Sequence, residues 1–165
     1  MKRAIKISDL KVMSPGRQGR GGGGSIPEPA KGEGTVIELE HMDRHTFYTG
    51  LMLALSTLRD GFPTEGRKFH EAFRATIEYL QAERHEVAVE GIEWMQPDPV
   101  FGVVHEATEM VLEAKQDRIV ALLNPQLREA RFKISAKQAQ KELRTLPKPE
   151  WFMDLAKRFD ERLRV

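Results

Sequence analysis

The chain has 165 residues, of which 40% are apolar and 31% charged, and its net charge is +1. These proportions are those of an ordinary globular protein and exclude wholesale disorder. There is no cysteine, which excludes disulfides, a cysteine nucleophile and thiolate metal sites. No apolar run approaches the roughly 18 residues of a membrane span, and the N-terminus lacks the apolar core of a secretory signal, so we expect a cytoplasmic protein.

The charges fall into three blocks along the chain. Residues 1–32 carry seven Lys or Arg against two acids, residues 33–126 carry eight against seventeen, and residues 127–165 carry eleven against six. This basic, acidic, basic order indicates either that the ends fold back on the middle or that the basic ends contact an acidic partner, with nucleic acid as one candidate.

The N-terminal third is predicted to hold a short strand and a flexible segment. Ile5 and Ile7 alternate with Lys6, which predicts a strand within residues 1–13. Residues 14–34 contain eight glycines and three prolines, a composition typical of a flexible linker or loop. Within it, Arg17 and Arg20 are candidate contacts to phosphate or to another acidic partner. Residues 35–165 are predicted to form a helix-rich globular body.

The first half of this body is predicted to contain two strands and a helical hairpin. Residues 35–40 and 87–95 have strand-like patterns. Asp43 is the predicted N-cap of a helix that ends at Gly61, and a second helix is predicted to open at Pro63. We expect the two helices to pack antiparallel across a short turn at residues 60–63. Gly50 in the first helix is expected to allow close packing with another helix.

Residues 98–123 form the longest segment with helical periodicity, and a helix is predicted from about Pro99 or Val100. Its apolar face runs from Val103 to Ala114. Four carboxylates occupy another face at spacings of three, four and four, and we call them the acidic ridge: Glu106, Glu109, Glu113 and Asp117. A polar run at 115–118 interrupts the apolar face, which predicts either a helix bend or an Arg118 side chain whose stem lies along the apolar surface.

The C-terminal residues are predicted to form a basic helical hairpin at 135–165. Residues 127–134 suit either a strand or the start of a helix. Ser135 and Gln138 fit a capping box for a helix over 136–146, and Pro149 suits the first turn of a last helix. The buried edge of that last helix is predicted to comprise Trp151 or Phe152, Leu155, Phe159 and Leu163.

Five cations in this region are candidate contacts to nucleic acid or another acidic partner, and we call them the basic segment: Arg131, Lys133, Lys137, Lys141 and Arg144. The last three lie at spacings of four and three, so a helix places them on one face, where they suit a phosphate backbone. The alternatives are a solvated face or pairing with the acidic middle of the chain.

The acidic ridge suggests a metal site as an alternative. Carboxylates at helical spacing suit Mg²⁺ or Mn²⁺, and His105 is a further candidate ligand beside Glu106, Glu109, Glu113 and Asp117. The ridge is otherwise a solvated or docking surface. A histidine site for zinc or iron built from His41, His45 and His105 is a third hypothesis. The sequence contains no HExxH, nucleophile-elbow or dinucleotide-binding motif.

Together these patterns predict a single α+β domain, predominantly helical, with about five helices and two to four short strands. The leading functional hypothesis is a non-enzymatic interaction or assembly protein without a cofactor. Its partner is expected to be a protein, a second copy of the chain or nucleic acid. The alternative is a metal-dependent hydrolase of a nucleotide or phosphate ester, with Mg²⁺ or Mn²⁺ bound at the acidic ridge.

Overall fold

The computed structural model describes residues 4–6, 38–82, 87–123, 126 and 128–165. The chain forms two compact units, Met1–Met42 with His85–Ala88 and Asp43–Arg84 with Val89–Val165. None of the helices in the described ranges is long and apolar enough to cross a membrane. The fold is α+β and mostly helical, as the sequence predicts.

The first unit is built on a small sheet. Strand β1 (Ala4–Lys6) pairs antiparallel with β2 (Glu38–Met42), and β4 (Val87–Val89) completes the strand order β1-β2-β4. The strands predicted within 1–13 and 35–40 are therefore confirmed, whereas the strand predicted at 87–95 ends at Val89 and is followed by a short 3-10 helix (Ile92–Trp94). The predicted linker at 14–34, with Arg17 and Arg20, lies outside the described residues.

The second unit contains the helices and a second antiparallel sheet of order β3-β6-β5. Its elements are β3 (Gly61–Pro63), β5 (Val120–Leu123), β6 (Glu129–Phe132), α1 (Arg44–Ser56), α2 (Arg67–Ala82), α3 (His105–Gln116), α4 (Ala136–Leu143) and α5 (Pro149–Arg164). The prediction of about five helices is confirmed. The described ranges hold six strands rather than two to four, because β3 and β5 form where a turn and a helix were expected.

Helix α1 is the centre of the second unit. Asp43 caps it as predicted, since its Oδ1 accepts the Thr46 N–H at 2.8 Å. Every residue from Gly50 to Ser56 is buried, and α1 packs against α3, α4 and α5. A helix that is buried on all sides needs apolar residues all round rather than a single stripe. Gly50 makes the approach of α5 possible, because a Cβ there would overlap the Phe152 ring.

The connection between α1 and α2 differs from the predicted short turn. Helix α1 ends at Ser56 and α2 begins at Arg67, because residues 61–63 pair with β6 and place Phe62 opposite Ala130. A Cβ at Gly61 would lie 2.5 Å from the Ala130 carbonyl oxygen, so glycine is required for this pairing. The predicted direct helical hairpin is therefore wrong: a strand lies between the two helices.

The segment at 98–123 is shorter as a helix than its periodicity predicts. The Asp98 carboxylate accepts the N–H groups of Val100 and Phe101, which holds this part of the chain in a turn, and α3 begins only at His105. The helix ends at Gln116, and Arg118 adopts a left-handed φ of 61° before the chain enters β5. The polar run at 115–118 thus marks the end of the helix. The expectation of a helix bend, or of an Arg118 stem lying along the apolar surface, was wrong.

The C-terminal prediction is largely confirmed. Residues 129–132 form strand β6, which decides between the two alternatives for 127–134. The Ser135 Oγ accepts the Gln138 N–H at 3.2 Å and caps α4, which ends at Leu143 rather than at 146. Pro149 lies in the first turn of α5. The buried side chains of that helix include Phe152, Leu155, Phe159 and Leu163, whereas Trp151 is half-buried.

Candidate functional site

The basic segment spans β6 and α4. In β6, Ala130 is buried beneath the sheet while Arg131 is exposed, and Lys133 is exposed two residues later. In α4, Ala139 and Leu143 are buried, and α4 packs on α1 through this side. Lys137, Lys141 and Arg144 are exposed, and helical spacing puts all three opposite the buried pair. These two elements and the residues directly after them, Lys133 and Arg144, therefore present five cations to solvent.

None of these five cations forms an ion pair with a residue that the structure describes. Six other arginines of the second unit are paired with carboxylates, whereas Arg118, Arg158 and Arg162 likewise have no ion pair with a described residue; the pairs are Arg44 with Glu109, Arg59 and Arg164 with Asp160, Arg67 with Glu71, Arg74 with Glu78, and Arg128 with Glu65. Residues 129–146 carry only two acids, Glu129 and Glu142, and the Glu142 carboxylate accepts a hydrogen bond from Gln138. The basic segment is thus a local excess of positive charge.

The acidic ridge contacts α1. The Tyr48 hydroxyl donates a hydrogen bond of 2.8 Å to Glu109 Oε2, and an Arg44 guanidinium nitrogen lies 3.3 Å from the same oxygen. Burial raises the pKa of Tyr48, and the hydrogen bond to Glu109 raises it further, so the hydroxyl stays protonated as a donor. Two carboxylates further along the ridge contact the same helix.

His45 is the second contact between α1 and the ridge. Its Nδ1 lies 2.7 Å from a Glu113 carboxylate oxygen, and its Nε2 lies 3.5 Å from Asp117. The hydrogen bond to Glu113 raises the pKa of His45, and the negative charge of Asp117 adds to the effect. The ridge is therefore contacted by Arg44, His45 and Tyr48 of the acidic middle block itself, rather than by the described residues of the basic ends.

The metal hypotheses gain no support from this geometry. Among the residues described, no group of three or more His, Asp or Glu side chains is arranged to hold a metal ion. Three of the four ridge carboxylates contact α1, Glu106 is half-buried, and His105 is exposed at the first position of α3. Of the three histidines in the third hypothesis, His41 belongs to the first unit and the other two to the second.

No family model, no curated protein and no solved structure matches this chain. Its function is therefore inferred from its own geometry alone. Among the exposed cations without an ion pair to a described residue, those of the basic segment lie close together along the chain, and helical spacing identified three of them, Lys137, Lys141 and Arg144.

The sequence did not reveal the role of Arg44, His45 and Tyr48. These residues lie more than sixty positions before their partners on α3, so no local pattern connects the two groups. The one available signal is that Arg44 and Tyr48 lie four residues apart, on one face of α1. The acidic ridge on α3 and the basic residues Arg44 and His45 on α1 have complementary chemistry. Whether they meet is decided by the tertiary fold, which the sequence pattern does not reveal.

Proposed function

We propose that this protein is a non-enzymatic nucleic-acid-binding protein, and that its basic segment contacts the phosphate backbone of a duplex. The observation that carries this proposal is that Arg131, Lys133, Lys137, Lys141 and Arg144 are exposed without an ion-pair partner among the described residues, while the acidic ridge is engaged by α1. Duplex DNA bears about one negative charge per 1.7 Å of its axis, so a row of unpaired cations binds it and releases counterions.

The chemistry of the segment favours backbone contact over base recognition. Lys137 of α4 and Arg144, the C-cap of this helix, are seven residues apart, a rise of about 10 Å along the helix, which is enough to span neighbouring phosphates. Between residues 131 and 144 the only aromatic side chain is Phe132, and it is half-buried, packing against Phe62 with ring centroids 5.5 Å apart. Single-strand binders rely on exposed aromatic rings for base stacking, so we expect duplexes to bind at least as tightly as single strands.

The test is a set of binding titrations followed by fluorescence anisotropy. The full chain is titrated into labelled duplex DNA, single-stranded DNA and RNA at about 50 and 200 mM salt. We expect measurable binding at the lower salt that weakens strongly at the higher. If none of the three nucleic acids shows salt-dependent binding, the proposal is overturned, and an acidic protein partner becomes the next candidate.

A variant pair separates the segment from overall charge. Lys137→Gln, Lys141→Gln and Arg144→Gln together remove three charges from α4. The matched control removes three exposed lysines, one from each of α2, α3 and α5: Lys68→Gln, Lys115→Gln and Lys157→Gln. We expect the first triple variant to lose most of the affinity and the control to lose little. Equal losses would show that binding depends only on net charge.

A further inference from the structure

An exposed apolar turn lies between the short 3-10 helix and α3. Val100 and Phe101 are 77% and 80% exposed. The turn is nevertheless fixed: the Asp98 carboxylate accepts N–H groups from Val100 and Phe101 at 2.8 and 2.9 Å, and the Gly102 N–H donates to the Asp98 carbonyl at 2.8 Å. Gly102 has φ +66°, a conformation that favours glycine. We call Val100 and Phe101 the apolar knob.

A cleft of about 830 Å³ lies directly beside this knob, and Val100 and Phe101 form part of its wall. Phe69 and Val111, both buried, contribute to its apolar lining, and Leu112, 48% exposed, forms another part of the wall. The knob and the cleft are fixed to each other, because the Val104 N–H donates to Nδ1 of His70 on α2 at 3.2 Å. An apolar projection and an apolar recess therefore lie in one continuous surface.

The charges around the cleft are balanced. Arg67 pairs with Glu71 at 2.6 Å, Arg74 with Glu78 at 3.1 Å, and Arg128 with Glu65 at 2.8 Å. Such a rim does not favour a polyanion or a polycation. It does suit a partner that carries the same alternation of signs, since ion pairs can re-form across an interface between two identical surfaces.

We propose that this surface is a homodimer interface, in which the apolar knob of each copy enters the cleft of the other about a twofold axis. A twofold interface needs one patch that is complementary to itself, and this patch carries both the projection and the recess, as well as both signs of charge. An aromatic centre with a polar rim is the usual anatomy of a protein interface. Because the backbone of the knob is already held by hydrogen bonds, little backbone entropy is lost when it docks.

The proposed interface shares no residue with the basic segment. The dimer and the nucleic-acid interaction can therefore be tested separately, and a negative result for one does not decide the other. Their dependence on salt also separates them, since apolar contacts persist at high salt while phosphate contacts weaken.

Sedimentation velocity over a concentration series, at high salt, measures the self-association of the full chain. The test variant is Phe101→Ser. The matched control is Trp94→Ser, because Trp94 is similarly exposed, at 77%, but does not line the cleft. We expect the wild type and Trp94→Ser to dimerise with the same dissociation constant, and Phe101→Ser to raise it by at least about tenfold, as loss of a hot-spot residue does.

Folding of both variants is checked by circular dichroism and melting temperature, which we expect to match the wild type because both side chains are exposed. A wild type that stays monomeric up to its solubility limit would overturn the dimer, whatever else the cleft then binds. Dimerisation that survives Phe101→Ser, or that both variants weaken equally, would overturn it as well.

Discussion

Tyr48 makes the most buried of the polar contacts between α1 and α3. Its side chain is buried, and its hydroxyl donates to Glu109. The sequence predicted the N-cap at Asp43 correctly, because a cap is a local pattern, but it did not predict that Tyr48 and Glu109 meet. A hydrogen bond to a charged acceptor stabilises more than one between neutral groups, although partial exposure of Glu109 reduces its effect.

The Tyr48→Phe substitution tests this contact. We expect it to lower the free energy of unfolding by about 1–2 kcal/mol, because the Glu109 carboxylate loses the shorter of its two hydrogen bonds and keeps only that from Arg44. Urea unfolding of Tyr48→Phe, Glu109→Gln and the double variant provides the measurement as a double-mutant cycle. The double variant should cost less than the sum of the single variants. Strictly additive costs would mean that the two groups do not interact.

His45 makes the same helix contact dependent on pH. The hydrogen bond to Glu113 raises its pKa above the ordinary value of 6.5. A raised folded-state pKa gives a stabilising contribution that is complete below 6.5 and is lost as the pH rises through the folded value. We therefore expect His45→Gln to cost roughly 0.5–1 kcal/mol at about pH 6 and almost nothing at about pH 9.

Unfolding free energies of wild type and His45→Gln across this pH range provide the measurement. His70 serves as the internal contrast. Burial lowers its pKa, so its stabilising contribution is lost as the pH falls through the folded value. The cost of His70→Gln should therefore shrink toward low pH, where the cost of His45→Gln is largest. A His45→Gln cost that does not change with pH would show that His45 and Glu113 are not coupled.

At the scale of the elements, local sequence patterns predicted where the helices lie more accurately than where each helix begins and ends. The caps of α1 and α4 and the proline of α5 were correct, because each depends on a few adjacent residues. The ends of α1 and α3 were wrong, since both flanking segments leave the helix to join one sheet. Sheet pairing between residues 61–63 and 129–132 is a distant contact, and helical periodicity carries no information about it.

The contact between α1 and α5 depends on Gly50. Alanine favours a helix over glycine by up to about 1 kcal/mol, but a Cβ at this position would overlap the Phe152 ring. We therefore expect Gly50→Ala to lower the free energy of unfolding by about 1–3 kcal/mol, the usual cost of overpacking. Denaturant unfolding measures it. Adding Phe152→Leu to the Gly50→Ala variant shortens the side chain that the new Cβ would overlap, so it should recover part of the lost stability. If Gly50→Ala instead stabilises the protein, the close packing of α1 and α5 at this position is contradicted.

At the scale of the whole molecule, the charge blocks gave the clearest signal. The sequence offered two explanations for them: basic ends that fold back on the acidic middle, or basic ends that contact a partner. In the second unit three of the four ridge carboxylates contact Arg44 or His45 of the middle block, while the basic segment has no ion pair with any described residue. Arg128 of the C-terminal block pairs with Glu65 of the middle block, but the five cations of the basic segment remain open to a partner. Which cations pair with the acidic block depends on how the helices pack, so the sequence could not predict it.

The salt dependence of duplex binding tests the proposed function most directly. Each phosphate neutralised lowers the slope of log K against log salt concentration by about 0.9 for B-DNA, so five contacts give a slope of about −4 to −5. The triple variant of Lys137, Lys141 and Arg144 should make the slope less negative by about 2–3, whereas the control lacking Lys68, Lys115 and Lys157 should keep the wild-type slope. A flat slope for the wild type, or the same change in both triple variants, would contradict a phosphate-binding role for the basic segment.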